Sequence, residues 1–344
     1  MNEFVDDVST WLTDGRNDIV TATVLRTWGS APRRPGAKMA IDGDGHITGS
    51  VSGGCVEGAV IEAARQTLET GEAQLLHFGV ADETAWSVGL ACGGSIDIFV
   101  ENIDPPSFEV VHRLISEERA GSITTVVRGP AGILGQKVVV DETGGASGNM
   151  APDLRERVIC VAAAAEQAGM IALDAETTIF VDLIRPSPTL VVVGGGEVAI
   201  SLTKMARLLG YNTVVIDPRR VFASEARFPH VDRLVQKWPR SAFADIELTP
   251  DTAVALLTHD PKIDDPSLKI LLDRDIFYIG ALGSRKTHAK RLRRLKKLGF
   301  TDSQTDRICA PIGLDIGAAN PQEIAVAIMA EIVAARRGQK KVAG

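Results

Sequence analysis

Two kinds of feature in this chain have the residue types and spacing to carry chemistry. One is a glycine turn that ends an apolar run, and the other is a pair of cysteines set in glycine-rich loops. The turn lies in Leu190-Val-Val-Val-Gly-Gly-Gly-Glu-Val-Ala199. Gly194 suits a tight turn, Gly196 lets the backbone approach a pyrophosphate, and Ala199 supplies the small residue that allows close packing of helix on strand. Gly195 stands between them. A second apolar run, Thr213-Val-Val-Ile216, ends in Asp217, 23 residues after Gly194, near the place where an acid meets ribose hydroxyls. Arg219 and Arg220 follow, and arginine can accommodate a 2′-phosphate, so the choice between the two dinucleotides stays open. In the plainer alternative, Asp217 caps a loop and both arginines are solvated.

The cysteine loops point to sulfur. Ser52-Gly-Gly-Cys-Val-Glu57 places Gly53 and Gly54 ahead of Cys55 at an expected helix start, where the macrodipole favours a thiolate. Ala91-Cys-Gly-Gly-Ser95 sets Cys92 in a similar loop before a strand. Cys55 and Cys92 are therefore the candidate thiols for sulfur chemistry or ligation. Cys160 and Cys309 read as small buried hydrophobes. The four cysteines lack the paired spacing of a zinc site, and no metal centre is expected.

Three further segments carry charge in loops. His259 and Asp260, in Thr258-His-Asp260, could act as an acid–base pair beside a cofactor or satisfy loop backbone groups. Gly283-Ser284-Arg285 opens a helix, where free N–H groups make an anion site and serine is also a good cap. Arg33, Arg34 and Lys38 lie among turn formers in Gly29-Ser-Ala-Pro-Arg-Arg-Pro-Gly-Ala-Lys38, a grip for a phosphate or an ordinary surface. The helix from Arg285 holds eight Lys or Arg residues up to position 297, with Leu292, Leu295 and Leu298 as its apolar stripe. Its basic side reads as a solvated or docking face.

The elements that must position these residues divide the chain. Residues 1–184 alternate strand and helix patterns in an α+β order, including a hairpin around Asp42-Gly-Asp-Gly45 and strands over Ile19–Leu25, Gln74–Phe78, Ser95–Val100, Ile123–Val127, Ile133–Val140 and Thr177–Ile184. Arg185-Pro-Ser-Pro188 is a linker, because closely spaced prolines interrupt both helix and sheet. Over 189–338 the strands Leu190–Val193, Thr213–Ile216, Arg233–Val235, Ala253–Leu257 and Ile276–Ile279 alternate with helices. That order implies a doubly wound parallel sheet of Rossmann type, so the fold class is α/β with an amino-terminal α+β domain. Asn320, Pro321 and Glu323 mark the start of the last helix.

Composition narrows the function. The formal charge of −7 argues against a general nucleic-acid binder, no apolar run is long enough to span a bilayer, and the acidic start is unlike a signal peptide. A cytoplasmic protein with reduced thiols is expected, with a homodimer as the default assembly.

Several segments together resemble a known family. Gly29-Ser-Ala-Pro-Arg33, Gly36-Ala-Lys-Met39, Gly49-Ser-Val-Ser-Gly-Gly-Cys-Val-Glu57 and Cys92-Gly-Gly94 are similar to the amino-terminal module of xanthine dehydrogenase accessory proteins, the XdhC/CoxI family. Val193–Gly196, Ile279-Gly-Ala-Leu-Gly-Ser-Arg285 and Pro311-Ile-Gly-Leu-Asp-Ile-Gly317 resemble its Rossmann module. The resemblance implies a chaperone that binds molybdenum cofactor, supports its sulfuration, and delivers it to an apo molybdenum hydroxylase of the xanthine dehydrogenase or CO dehydrogenase type. A cysteine desulfurase would be a second partner. On this reading Gly53, Gly54, Cys55, Cys92, Arg33 and Arg34 hold the pterin, and the Rossmann module holds NAD(P) or the nucleotide part of an extended cofactor. The alternatives are an NAD(P)-dependent oxidoreductase using His259 or Asp260, and a non-catalytic NAD(P)-binding regulator.

Overall fold

The computed structural model describes residues 2–29, 33–79 and 94–339. Two compact units divide the chain, Met1–Pro186 and Ser187–Gly344.

The first unit holds two antiparallel sheets. Helix α1 (Asn2–Thr13) leads into β1 (Ile19–Trp28), β2 (Lys38–Asp42), β3 (Ile47–Gly49), α2 (Glu57–Thr70), β4 (Gln74–Phe78) and β5 (Ser95–Asn102), with strand order β3-β2-β1-β5-β4. The β2–β3 turn is held by Asp42, whose carboxylate accepts the Asp44 and His46 amides and pairs with Arg16. The second sheet, β8-β7-β6-β10-β9, is built from β6 (Gly121–Arg128), β7 (Lys137–Asp141), β8 (Ala146–Ser147), β9 (Gly169–Ala172) and β10 (Thr178–Ile184). Helices α3 (Pro105–Ser116) and α4 (Pro152–Ala162) accompany it. Leu25 and Phe99 of the first sheet share a core with Val127 and Phe180 of the second. Two ion pairs, Lys38–Asp182 and Lys137–Glu101, each 2.9 Å, cross between the sheets beside a cavity of about 70 Å³. Breaking one member of such a buried pair strands a charge, so these pairs fix how the sheets face each other.

The second unit is one parallel sheet in the order β13-β12-β11-β14-β15-β16. Its strands are β11 (Thr189–Val193), β12 (Asn212–Ile216), β13 (Arg233–Val235), β14 (Thr252–Leu256), β15 (Tyr278–Ala281) and β16 (Ile308–Cys309). Counted within the unit this is 3-2-1-4-5-6, the dinucleotide-fold order, with its switch point between β11 and β14. The central strands are largely apolar because both faces are covered. Val191, Val193, Val254 and Leu256 enter one core, while Leu190, Val192, Ala253 and Ala255 enter the other. The helices are α5 (Glu197–Leu208), α6 (Pro239–Ala244), α7 (Pro261–Leu271), α8 (Arg285–Lys297), α9 (Asp302–Thr305) and α10 (Pro321–Arg336). Asn320 caps α10 by accepting the Glu323 amide at 2.9 Å, and the Glu323 carboxylate reaches back to the Ala319 amide at 2.7 Å. No helix among the described residues is long and apolar enough to cross a membrane.

Some local expectations are corrected. The strand expected over Ile133–Val140 begins only at Lys137, because Ile133 and Gln136 belong to a turn in which the Gln136 amide donates to the Ile133 carbonyl. Strands β9 and β16 have no counterpart in the sequence reading. They are short and half-buried, without a sustained period-2 pattern.

Candidate cofactor-binding loops

At the switch point, β11 ends in Gly194 (φ +112°), packed so tightly on the loop after β14 that a Cβ would lie 2.7 Å from the Thr258 methyl. The Gly195 amide donates to the Asp217 carboxylate at 2.9 Å, and a Cβ at Gly195 would stand 2.3 Å from the Phe222 carbonyl oxygen. The chain therefore lays its own backbone on the turn. Gly196 opens α5 as its N-cap, and space beside it is free.

Asp217 is fully buried. Its carboxylate also accepts the Arg219 amide at 2.9 Å and a two-pronged contact from the Arg219 guanidinium at 2.9 and 2.7 Å. Burial pushes the carboxyl up, but the hydrogen bonds from Arg219 and Gly195 outweigh it and hold it below the usual carboxylate range. Arg219 also stacks 4.2 Å over the Phe222 ring. Arg227 bridges the Gly195 carbonyl at 3.2 Å and the Glu197 carboxylate at 2.9 Å. Both Asp217 oxygens are thus engaged by Gly195 and Arg219, and Phe222 and Arg227 lie against Gly195. Arg220 is exposed.

The loop after β14 continues the mouth. His259 is exposed at φ +59°, and Asp260 caps α7 by accepting the Lys262 amide at 2.9 Å. Of the two roles the sequence leaves open for this pair, the capping contact of Asp260 is the backbone-satisfying one. Ser284 caps α8 through the Thr287 amide at 3.2 Å, while Gly283 shapes the turn and Arg285 is exposed.

Beneath both loops lies a contact that the sequence reading missed. Arg291, 1% exposed, pairs with buried Asp264 at 3.2 Å and donates to the Leu282 carbonyl at 2.9 Å. Asp264 in turn accepts from the Thr258 hydroxyl, and burial pushes its carboxyl up despite these partners. The basic helix is thus not simply a solvated face: Arg291 is core, and Arg294 and Lys296 pair with Asp265 and Asp302. The signal was present in the spacing, since 291, 295 and 298 share one helical stripe.

In the first unit the loop from Ser50 to Val56 turns its donors inward. Glu57 opens α2, and its carboxylate collects the Ser50 hydroxyl, the Ser52 amide and hydroxyl, and the Gly53, Gly54 and Val56 amides. Burial alone would raise this carboxyl, yet the hydrogen bonds from Ser52, Ser50 and the loop lower it to about 2. The helix begins at Glu57 rather than Val56, so Cys55 stands before the cap, and the amides expected to favour a thiolate face Glu57 instead. The Cys55 amide is held at 3.0 Å by Ser52 Oγ, and the residue is half-buried against the first sheet's core.

Arg33, Lys38, Thr48 and Ser50 line a cleft of about 230 Å³ that runs up to this loop, whereas Arg34 is exposed and does not line it. Cys92 lies outside the described residues. Cys160, expected in a core, is exposed, because it falls on the outer side of α4. Cys309 is half-buried in β16.

The chain thus joins an antiparallel unit carrying a cysteine loop to a Rossmann-type unit. The comparisons with known proteins agree. A family model described as the XdhC Rossmann domain matches residues 190–332, and one described as the XdhC and CoxI family matches residues 12–79. The chain belongs to the XdhC/CoxI family. It is 28% identical over 335 residues to a probable xanthine dehydrogenase subunit of Bacillus subtilis (strain 168), covering 95% of this chain and 96% of that protein. It is 27% identical over 331 residues to the molybdenum cofactor insertion chaperone PaoD of Escherichia coli (strain K12), covering 94% and 85% of the two chains. A crystal structure described as a xanthine dehydrogenase from Bacillus halodurans shares the fold, with a TM-score of 0.79 at 24% identity over 99% of this chain and 97% of that one.

Proposed function

We propose that this chain is a molybdenum-cofactor chaperone that holds the pterin in its first unit, supports its sulfuration and hands it to an apo molybdenum hydroxylase of the xanthine dehydrogenase or CO dehydrogenase type. The observation that carries this reading is the juxtaposition of the Cys55 loop with the Arg33–Lys38–Ser50 cleft, inside the region matched by the XdhC and CoxI family model. A soft thiol suits sulfur-rich cargo, and the Arg33 guanidinium suits its phosphate, the Lys38 ammonium being already paired with Asp182. The likeness to a cofactor insertion chaperone supports the same role. A cysteine desulfurase is the expected sulfur donor, and a homodimer in the cytoplasm the expected setting.

The parallel-sheet order favours a second ligand, NAD(P) or a pterin nucleotide, at the glycine turn. As folded, the Gly195 amide and the Asp217 carboxylate are engaged with each other and with Arg219. Binding there would require segment 219–227 to lift, after which Gly194, Gly196, Asp217 and Arg219 would be the contacts, with His259, Asp260, Gly283, Ser284 and Arg285 across the mouth.

The test is activation of a purified apo molybdenum hydroxylase by cofactor-loaded chaperone. Replacing Cys55 with Ser should lower the activation rate by about tenfold or more, as expected for a lost sulfur contact to the cargo. Unchanged activation would refute the cargo role of Cys55.

A further inference from the structure

We infer that Glu57 is the positioning residue of the Cys55 loop: its carboxylate is a built-in anion around which Ser50–Val56 wraps, and this fixes where the thiol stands. The inference rests on the reading of Cys55 as the cargo thiol and adds to it the part that holds that thiol in place.

Six donors converge on one carboxylate. Oε1 receives the Ser50 hydroxyl at 2.8 Å and the Ser52 and Gly53 amides at 2.9 Å each. Oε2 receives the Ser52 hydroxyl, the Gly54 amide at 2.9 Å and the Val56 amide at 3.2 Å. An acid in a first helical turn ordinarily serves the helix, by accepting amides at or after the cap. Here the donors all lie at or before the cap residue Val56, whose own side chain makes no capping bond. The carboxylate therefore organises the loop.

Ser52 is the relay. Its hydroxyl donates to Glu57 and accepts the Cys55 and Val56 amides at 3.0 Å each, so the Cys55 backbone is tied to Glu57 through one intermediate atom. Ser50, bound to the same carboxylate, lines the cleft with Arg33 and Lys38, so one group sets both the cleft wall and the thiol loop. Glutamine at this position keeps the length but turns an NH2 group, itself a donor, toward three of the six donors.

The test is peptide-resolved alkylation of the native full-length protein with iodoacetamide, expressing the Cys55 rate relative to Cys309 in the same molecules. Glu57→Gln should raise the Cys55-to-Cys309 ratio by about tenfold, as local opening of the loop exposes a half-buried thiol. Ser50→Ala, which removes one donor, should raise it by about threefold and provides the answer if Glu57→Gln does not fold. A merely stabilising Glu57 would raise the ratio only in step with unfolding of the first unit, seen as an equal loss of hydrogen-exchange protection in β1 and β5; a rise that comes only with that loss, or an unchanged ratio in a folded variant, overturns the inference. Alkylation needs no cargo, so the two readings fail separately. If Cys55→Ser leaves client activation intact while Glu57→Gln still shifts the ratio, the cargo reading falls and the positioning role stands.

Discussion

The two glycine loops of this protein solve the same problem in opposite ways. Each is a turn whose backbone donors meet an acid of its own chain, Glu57 in the first unit and Asp217 in the second. Glu57 immediately follows the loop it organises and leaves the Cys55 side chain outside the network. Asp217 arrives from the end of the next strand, fully buried, and is locked by Arg219 while Phe222 covers the turn. The first loop leaves a half-buried thiol outside its hydrogen bonds; the second is closed over its own backbone. A Rossmann glycine turn is thus not evidence of an accessible nucleotide site until the fate of its acid and its amides is known.

The contrast can be broken most sharply at the glycines. Gly195 is needed for space, since a Cβ would meet the Phe222 carbonyl oxygen at 2.3 Å. Gly195→Ala should destabilise the second unit by about 3 kcal/mol, read as a lowered thermal transition. Gly54 is needed for conformation, at φ +120° with open space around it. Gly54→Ala should cost about 1–2 kcal/mol, confined to hydrogen-exchange protection in the first unit. Equal losses in both units would remove the distinction.

Both acids are held below their usual range, so both contribute less to stability as pH falls. The Glu57 carboxyl is lowered from 4.5 to about 2 on folding, so its contribution is fully present above pH 4.5 and is lost as pH falls toward 2. After allowance for solvent screening, this amounts to about 2 kcal/mol. Acid titration of stability should be shallower in Glu57→Gln than in the parent over that window, and identical slopes would show that the carboxylate network does not form in solution.

The smallest effect is expected at Arg227, whose contact with Glu197 is partly exposed. Arg227→Ala should cost under about 1 kcal/mol yet speed hydrogen exchange across residues 219–227. If those amides stay as protected as before, another contact holds the segment down.

Much of the fold was legible from the sequence because its signals are local. The continuous apolar strands Leu190–Val193 and Ala253–Leu256 announced a sheet covered on both faces, and Asn320-Pro321 announced the last helix. The candidate site was legible in its parts and not in its contacts. Asp217 reads as a ribose acid by position, but the bonds from Gly195 and Arg219 depend on how the chain folds back after β12. Glu57 reads as an ordinary first-turn acid, because nothing in its spacing says that its carboxylate turns toward the preceding loop. Arg291 was hidden by its neighbours: among eight cations in one helix, burial of one shows only in its phase with Leu295.

The proposed role of the first unit is to hold a pterin cargo through the Cys55 loop. The most direct measurement is mass spectrometry of the small molecules that copurify with the native full-length protein from a molybdopterin-producing host, alongside Cys55→Ser. Molybdopterin is expected on the parent protein and is lost from the variant. Absence of any pterin on the parent, even after cofactor is added, would contradict that role.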